Sequence, residues 1–360
     1  MNPYRLRLPG PTAVPERVRQ AIARPMLAHR GPEFRQTLVR AEQLLRPILG
    51  TSNHVFFHAS TGTGMMEAAL VNVLAPGERV LVLVHGQFGE RFAAIAAAMG
   101  ACVETIETEW GRAPDPATIE ACLRNKDYRA IVAVHNESST AVAAPLAAIG
   151  ALLRRRPELL LVDSVSGLGG MEMRMDEWGV DVLASASQKC LMCPPGLGIA
   201  AISAKAWEIV RRDDRMPRYF WDFRRAMDSA DRTETPFTSP VALVTGLAEA
   251  LEMIHEEGLP DALARHEHLS CMLRKGCEAL GLPSFARENL SRTVVALDAG
   301  SRGKEIVRAM YERFGTVIAG SRNKLSGRVI RIGTMGCVTE GDIQTDLEQL
   351  KACLANPASA

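Results

Sequence analysis

Hydrophobic positions between residues 62 and 205 follow two alternating patterns, helical periodicity and short unbroken runs of Val, Ile, Leu and Ala. Such runs are typical of strands buried on both faces of a mostly parallel sheet that helices cover. The predicted strands span residues 79–84, 101–105, 130–134, 159–162, 180–184 and 198–202. The predicted helices span residues 65–74, 88–99, 116–123 and 147–155. Together these elements predict an α/β fold.

The pattern after Pro240 predicts a second, smaller α/β unit. It contains helices 241–257, 259–280 and 303–314 and short strands at 293–297, 316–319 and 329–332. We therefore expect a large domain of residues 16–240 and a small C-terminal domain of residues 241–360, which the N-terminal segment 1–15 joins. Two prolines argue against regular structure in segment 8–12.

Lys189 occupies an unusual place for a lysine, because it lies between two predicted buried strands. Lysine is almost never fully buried unless it is paired. An amine at the end of a strand can react with a carbonyl group to form a Schiff base. A single lysine in such a place more often packs its stem and leaves its ammonium group in water. The chemical interpretation therefore depends on the neighbouring strand ends.

Four other segments present polar or aromatic side chains, one at the start of a predicted helix and three after predicted strands. The segment Ser60-Thr61-Gly62-Thr63-Gly64 opens a helix, where free N–H groups bind anions such as phosphate. Asp163 follows a buried strand, where a carboxylate can pair with a pyridinium nitrogen. Phe88 can stack on a flat ring, and a hydroxyl in segment 135–140 can reach a phenolic oxygen. Each feature alone also fits a cap, a turn or a core residue, but together with Lys189 they predict pyridoxal 5′-phosphate.

Composition and charge exclude several other classes of function. The formal net charge is +1 and no aromatic–basic interleaving of the single-strand-binding kind appears, so we expect no nucleic-acid partner. No apolar run reaches the ~18 residues that a membrane span needs, and residues 1–6 contain no apolar signal region. The eight cysteines lack zinc-ligand spacing, so we expect no metal site and reduced thiols in a cytoplasmic protein.

The chain resembles the class V aminotransferases of the pyridoxal-phosphate fold-type I superfamily over nearly its whole length. The most specific match is Ser187-Gln188-Lys189 followed by Pro194-Pro195-Gly196. The other matching segments are Val162-Asp163-Ser164-Val165 with Gly169-Gly170, His135-x-Glu137-Ser138-Ser139-Thr140, Pro9-Gly10-Pro11-Thr12 and Arg331-Ile332-Gly333. The likeness is greatest to the alanine–glyoxylate and serine–glyoxylate members, and it implies a large domain with a mostly parallel, seven-stranded sheet.

The resemblance also implies a role for each matching residue. Lys189 would be the catalytic residue that holds the cofactor covalently, Asp163 would pair with the ring nitrogen, and Ser138 would reach the ring oxygen. Phe88 would stack on the ring. The remaining implied contacts are those to the phosphate, from Thr61, Gly62, Thr63, Gln188 and, across a subunit interface, Thr235 and Thr238, and those to the substrate, from Gly10 and Arg331.

Three positions depart from well-known relatives, which carry Trp where this chain has Phe88, in some cases His where it has Thr63, and a Tyr in the cross-subunit loop. These departures leave the cofactor prediction intact and leave the amino donor open. The match of loop 235–238 to that cross-subunit loop implies a homodimer with shared active sites.

Strand geometry distinguishes Arg331 from its neighbour Arg328. Because side chains alternate along a strand, Arg331 shares a face with Val329 and Gly333, whereas Arg328 points to the opposite face. Gly333 is expected to leave room for a ligand on that first face. We therefore expect Arg331 to bind the substrate carboxylate through its forked guanidinium, with an exposed salt bridge as the alternative.

The sequence thus predicts a homodimeric aminotransferase that moves the amino group of alanine or serine to glyoxylate or pyruvate. The alternatives on the same cofactor are a transaminase of aspartate or an aminophosphonate, and a cysteine desulfurase or lyase. Cys190, Cys193 and Cys337 fit the mobile loop of a desulfurase poorly. A nicotinamide dehydrogenase would need G-x-G-x-x-G in the first βαβ unit. A scaffold protein has no need for the lysine, aspartate and arginine together.

Overall fold

The computed structural model describes residues 4–212 and 215–355. Its strands are β1 Arg5–Leu6, β2 Val55–Ser60, β3 Arg79–Val84, β4 Cys102–Glu107, β5 Ala130–Val134, β6 Asn136–Glu137, β7 Val142–Ala143, β8 Leu159–Asp163, β9 Val182–Ala186, β10 Gly196–Ile202, β11 Val294–Asp298, β12 Thr316–Val317, β13 Ala319–Gly320 and β14 Val329–Gly333. Its α-helices are α1 Glu16–Ile22, α2 Pro32–Leu49, α3 Gly62–Val73, α4 Gln87–Ala98, α5 Pro116–Asn125, α6 Leu146–Leu153, α7 Ala204–Arg212, α8 Phe223–Ala230, α9 Val241–Glu257, α10 Leu259–Ala279, α11 Gly303–Phe314 and α12 Glu340–Ala355.

Seven strands form the central sheet in the order β2-β10-β9-β8-β5-β3-β4. Only β10 runs antiparallel to its neighbours in this sheet, so the predicted α/β fold with a mostly parallel sheet is confirmed. The sequence pattern missed β2, because its apolar residues Val55, Phe56 and Phe57 are followed at once by His58. Helix α3 begins three residues before the predicted start at residue 65, because Thr61 caps a first turn that contains two glycines.

Both faces of the central sheet are buried. Leu81 and Leu83 pack in a core with residues of α2 and α9, whereas Val80 and Val82 pack in a second core with residues of α3 and α4. Each buried Val or Leu side chain contributes about 1.5–3 kcal/mol relative to an exposed one. This burial on two sides explains the unbroken apolar runs.

A smaller sheet in the order β11-β14-β13 is covered by α10, α11 and α12. Its core contains Leu273, Ile306, Ile330 and Leu350. Helix α9 packs against α1 and α2 in the core of the large sheet rather than in this smaller one. The division of the chain at residue 241 stays a prediction, and residues 1–3 and 356–360, which belong to its small domain, lie outside the described part.

The N-terminal segment connects the small sheet region to Lys189. Strand β1 pairs in parallel with β12. Buried Arg7 forms an ion pair with Asp346 at 2.6 Å, which fixes the segment against α12. Segment 8–12 has no regular structure, as predicted, and its Thr12 N–H donates to the carbonyl of Gln188 at 3.1 Å. Residues 5–12 therefore extend from the β1–β12 pair to the loop that carries Lys189.

Within the described residues, no helix combines the length and apolarity that a membrane crossing requires. The same part of the chain contains no group of three or more His, Cys, Asp or Glu side chains placed to hold a metal ion. All eight cysteines are free thiols.

Candidate active site

The parallel strands β2, β3, β5, β8 and β9 all end at the same edge of the central sheet. Ligands of open α/β sheets bind at this carboxyl edge. The structure places a pocket there, lined by Thr61, Gly62, Thr63, Met66, Phe88, Arg91, Asn136, Ser138, Asp163, Val165, Ser166, Gln188 and Lys189. The pocket thus brings together eight predicted residues, namely Thr61, Gly62, Thr63, Phe88, Ser138, Asp163, Gln188 and Lys189.

Lys189 lies in the loop between β9 and β10, with its amine at the pocket. Nζ donates a hydrogen bond to the carbonyl of Pro9, and Gly10 packs directly against the end of the side chain. A Cβ atom at Gly10 would overlap the end of the Lys189 side chain, so a larger residue there would displace the amine. Burial lowers the pKa of Lys189 to about 8, which raises the fraction of neutral, nucleophilic amine near neutral pH.

Asp163 is the last residue of β8, and it is buried. Its Oδ1 accepts a hydrogen bond from the N–H of Val165 at 2.7 Å. Burial raises the pKa of Asp163 to about 6, against the opposing charges of Lys189 and Arg91. The carboxylate has no ion-pair partner within 4 Å among the described residues, so it is available to a cation in the pocket.

The N-terminus of α3 opens into the same pocket. Thr61 caps this 12-residue helix by accepting a hydrogen bond from the N–H of Gly64 at 3.2 Å. Gly62 lies so close to Val165 that a Cβ atom there would come within 2.7 Å of the valine side chain. The buried Oε1 of Gln188 has no hydrogen-bond partner in the described part of the chain. This end of the pocket can take an anion that also carries a proton donor.

Phe88 lies in the first turn of α4, and the guanidinium of Arg91 stands over its ring at 4.7 Å. Arg91 also donates from Nη1 to the hydroxyl of Thr63 at 3.0 Å. Sequence reasoning missed Arg91 as a site residue. The spacing from Phe88 contained the signal, since residues three apart on a helix lie on one face.

Arg331, on β14, is not among the residues that line the pocket, but it contacts Ser138, which is. Its Nη1 donates to the carbonyl of Ser138 at 3.0 Å and its Nη2 to the carbonyl of Gly320 at 2.9 Å, while its buried Nε has no partner among the described residues. Arg328 instead forms an exposed ion pair with Asp298, at 3.0 Å from its Nε. The exposed salt bridge that was the alternative role for Arg331 is therefore formed by Arg328 instead.

The expected space beside Gly333 is not open to a ligand, and this expectation was wrong. A Cβ atom at Gly333 would overlap the carbonyl oxygen of Leu8, and the Gly333 N–H donates to the carbonyl of Arg7 at 2.8 Å. The glycine admits the N-terminal segment instead. Single-strand periodicity cannot show this, because the occupying residues come from the other end of the chain.

Thr235 and Thr238 do not line the Lys189 pocket of their own chain. The Thr235 hydroxyl donates to the carbonyl of Phe237 at 2.8 Å, and Thr235 lines a separate cavity with Glu42 and Phe56. Thr238 is exposed. Their contact with the site of a second subunit stays a prediction.

The sequence matches the family described as Aminotransferase class-V over residues 13–322. It is 36% identical to the soluble hydrogenase, small subunit, of Synechococcus sp., over 97% of this chain and 92% of the relative. It is 36% identical to L-aspartate–glyoxylate aminotransferase of Paracoccus denitrificans (92% and 86%) and 37% identical to serine–glyoxylate aminotransferase of Hyphomicrobium methylovorum (92% and 85%).

The solved structure of alanine–glyoxylate aminotransferase from Nostoc sp. superposes with a TM-score of 0.94 at 30% sequence identity, covering 98% of this chain and 95% of that one. Fold and sequence therefore agree over nearly the full length. The chain belongs to the class V aminotransferase family.

Proposed function

We propose that the protein is a pyridoxal-phosphate-dependent aminotransferase that transfers the amino group of a small amino acid, alanine or serine, to glyoxylate or pyruvate. The observation that carries the proposal is the buried amine of Lys189, which shares a pocket with Asp163 at the carboxyl edge of the sheet. Relatives named for serine, aspartate and alanine as donors share glyoxylate in their names, which supports this acceptor more firmly than any one donor.

The pocket residues fit pyridoxal phosphate. The phosphate would lie at the N-terminus of α3, near Thr61, Gly62 and Thr63, where the unpartnered Oε1 of Gln188 would accept a hydrogen bond from a protonated phosphate oxygen or another donor. Phe88 would provide an apolar face for the ring, and Asp163 would provide the negative charge that a pyridinium nitrogen needs. When bound, the cofactor supplies an aldehyde that captures amines and a ring that takes up electrons from the α-carbon.

Lys189 would act as nucleophile and then as general acid and base. Its Nζ has a pKa lowered to about 8 by burial, so the amine exchanges a proton readily near neutral pH. The carbonyl of Pro9 accepts a hydrogen bond from Nζ and orients the amine, while Gly10 allows the N-terminal segment to pack directly against it. Proton transfer at the substrate α-carbon is thus assigned to this one atom.

Arg331 would bind the substrate carboxylate. Its two Nη atoms already bond the carbonyls of Ser138 and Gly320, which hold the guanidinium in place. Its buried Nε remains without a partner among the described residues, and a carboxylate satisfies such a donor well. This arrangement orients the α-carbon relative to Lys189.

The test is the visible spectrum of purified protein with added pyridoxal phosphate, followed by a donor panel. Alanine, serine, aspartate and an aminophosphonate would each be paired with glyoxylate and with pyruvate. We expect an absorption band of bound cofactor that Lys189→Ala removes, and the fastest turnover with alanine or serine and glyoxylate. Absence of the band contradicts the cofactor assignment. Sulfide release from cysteine, without transamination, contradicts the reaction assignment in favour of a desulfurase.

We also propose a homodimer in which Thr235 and Thr238 reach the phosphate of the partner's site. Exposed aromatic residues adjoin this loop: Tyr219 is 63% and Phe220 40% exposed, and Phe220 stacks on Phe237 at 5.0 Å. Apolar surface of this kind marks protein interfaces.

Mixing two defective proteins tests the shared site. Lys189→Ala and Thr235→Ala/Thr238→Ala would be unfolded together and refolded as hybrids. With shared sites, we expect about a quarter of wild-type activity, since half of the dimers are hybrids with one intact site of two. Activity no higher than that of the separate proteins, although sedimentation shows dimers, contradicts the shared site.

A further inference from the structure

Helix α4 begins without a cap of its own. Its first intrahelical hydrogen bond runs from the N–H of Glu90 to the carbonyl of Gly86 at 3.2 Å. The N–H groups of Gln87, Phe88 and Gly89 therefore have no partner within the helix. Gly86, at the N-cap position, has no side chain to accept from them.

Side chains from segment 137–139 accept all three of these hydrogen bonds. Glu137 Oε2 accepts from the N–H of Phe88 at 2.9 Å and from that of Gly89 at 3.2 Å. The hydroxyl of Ser139 accepts from the N–H of Gln87 at 2.9 Å. The same hydroxyl donates to Glu137 Oε1 at 2.5 Å, so one connected network caps the helix.

This long-range cap excludes an ordinary local one. A Cβ atom at Gly86 would overlap Cγ of Glu137, so the serine, threonine or aspartate that usually caps a helix does not fit there. Glu137 is fully buried, and its carboxylate lies at the positive end of the helix dipole. The position of α4 thus depends on a residue about fifty positions away in the chain.

The cap lies between parts of the active site. Phe88 is both the residue whose N–H is bound and the aromatic residue that lines the pocket. Ser138, next to the capping carboxylate, lines the pocket and accepts a hydrogen bond from Arg331 through its carbonyl. A shift of Glu137 would move the ring of Phe88 relative to Ser138 and Arg331.

We propose that Glu137 is a positioning residue, whose carboxylate fixes the first turn of α4 and so sets where the Phe88 ring meets the cofactor. The inference rests on the proposed function for its catalytic consequence, but the cap itself does not. Glu137→Gln keeps the size of the side chain and replaces one acceptor oxygen by a donor NH2 group. That group faces N–H or O–H donors whichever way the amide turns, so at least one hydrogen bond is lost.

The cap can be measured in the cofactor-free protein by residue-resolved amide hydrogen exchange. In Glu137→Gln we expect the amides of Phe88 and Gly89 to exchange about tenfold faster, the scale of losing a side-chain cap. Glu158→Gln is the matched control, because it removes a buried carboxylate at the opposite edge of the sheet. Unchanged exchange at Phe88 and Gly89 overturns the cap. Acceleration of the same size in Glu158→Gln shows general loosening and also overturns it.

The catalytic consequence is measured by a double-mutant cycle on the holoenzyme. We expect Glu137→Gln to lower kcat about tenfold in the wild-type background and about twofold or less in Phe88→Ala, because the ring to be positioned is then gone. Equal fold losses in both backgrounds overturn the positioning role. Failure of the proposed function shows separately, as a wild-type protein without a cofactor band, whereas the exchange result is independent of the cofactor.

Discussion

The two edges of the central sheet carry buried charges in opposite ways. At the amino edge, each buried acid has a basic partner: Glu158 lies 2.7 Å from Arg156, and Asp181 lies 3.3 Å from Lys205. At the carboxyl edge, Asp163 and Lys189 share a pocket, and neither forms an ion pair within 4 Å among the described residues. The amino edge satisfies its charges within the chain, whereas the carboxyl edge keeps them for a ligand.

This difference separates stability from function within one sheet. A buried ion pair is compatible with a stable fold only while both members are present. Removing one member destabilises the protein, because the other charge stays buried without a partner. Charges left unpaired reduce the stability of the free protein, and such strain is concentrated where ligands bind. The same substitution should therefore have opposite consequences at the two edges.

The largest effect is expected for Asp163→Asn. An amide cannot hold a pyridinium nitrogen protonated, so kcat and kcat/KM should fall together by about 10²–10³-fold, while cofactor is still bound. The free protein should become more stable at pH 7.5. The folded pKa of Asp163 is raised to about 6, so its carboxyl stabilises the fold only at low pH, and this contribution disappears as pH rises through that value.

Turnover of the cofactor-loaded enzyme checks the first half of this prediction, and urea unfolding of the cofactor-free protein checks the second. Removing the charge should raise the free energy of unfolding by about 1–3 kcal/mol. Near wild-type kcat would mean that Asp163 serves only the turn at Val165.

Arg331→Lys should weaken substrate binding next most strongly. Lysine cannot reproduce the forked guanidinium, so KM for amino and keto acids should rise about 10- to 100-fold with cofactor binding unchanged. Arg328→Lys is the matched control, since its ion pair with Asp298 is exposed and should leave KM within about twofold. Steady-state kinetics on both variants decides. A larger rise in KM in Arg328→Lys than in Arg331→Lys would show that Arg328, and not Arg331, binds the substrate carboxylate.

The reactivity of Lys189 should depend on pH in a shifted range. Burial lowers its pKa to about 8, so the neutral amine accumulates as pH rises through 8 rather than through the ordinary value near 10.5. The rate at which the cofactor-free protein captures pyridoxal phosphate should rise about fivefold between pH 7 and 8 and level off above 9. Stopped-flow absorbance measures this rate, with Lys189→Ala as the background. A rate still rising steeply at pH 10 would show an unshifted amine.

Asp181→Asn, the same substitution at the amino edge, should have the smallest effect on catalysis. Asp181 accepts from the N–H of Leu160 at 2.9 Å, from the hydroxyl of Ser203 at 2.7 Å and from Lys205. Losing part of this network should lower the free energy of unfolding by about 1–3 kcal/mol, with kcat per folded molecule unchanged. Urea unfolding and kinetics on the same sample test this. An Asp181→Asn variant more stable than the wild type would contradict the expected difference in stability effect between the two edges.

The sequence predicted what depends on local pattern and missed what depends on distant contacts. Apolar runs located the parallel strands, and polar residues after them located Lys189, Asp163, Phe88 and Ser138, because parallel strand ends meet at one edge. Arg91 was missed although its spacing from Phe88 held a local signal.

Three features could not be read from any local window. The capping role of Glu137 depends on a helix about fifty residues away, and the filling of the space beside Gly333 depends on Leu8. Strand β2 has too short an apolar run to be recognised locally, and it is defined by its pairing with the distant β10. Such pairings are fixed by tertiary packing, which a one-dimensional pattern does not contain.

The pairing of β1 with β12 has a consequence for the order in which the protein is made. Arg5 lies opposite Thr316 in this pairing, so strand β1 finds its partner only after the whole segment between the two strands has been synthesised. Until then Pro9 and Gly10 are not held beside Lys189 from that side. The large sheet can form earlier from its own sequence, since domains generally fold during synthesis. The environment of Lys189 is therefore completed late in biogenesis, after the scaffold that carries the lysine.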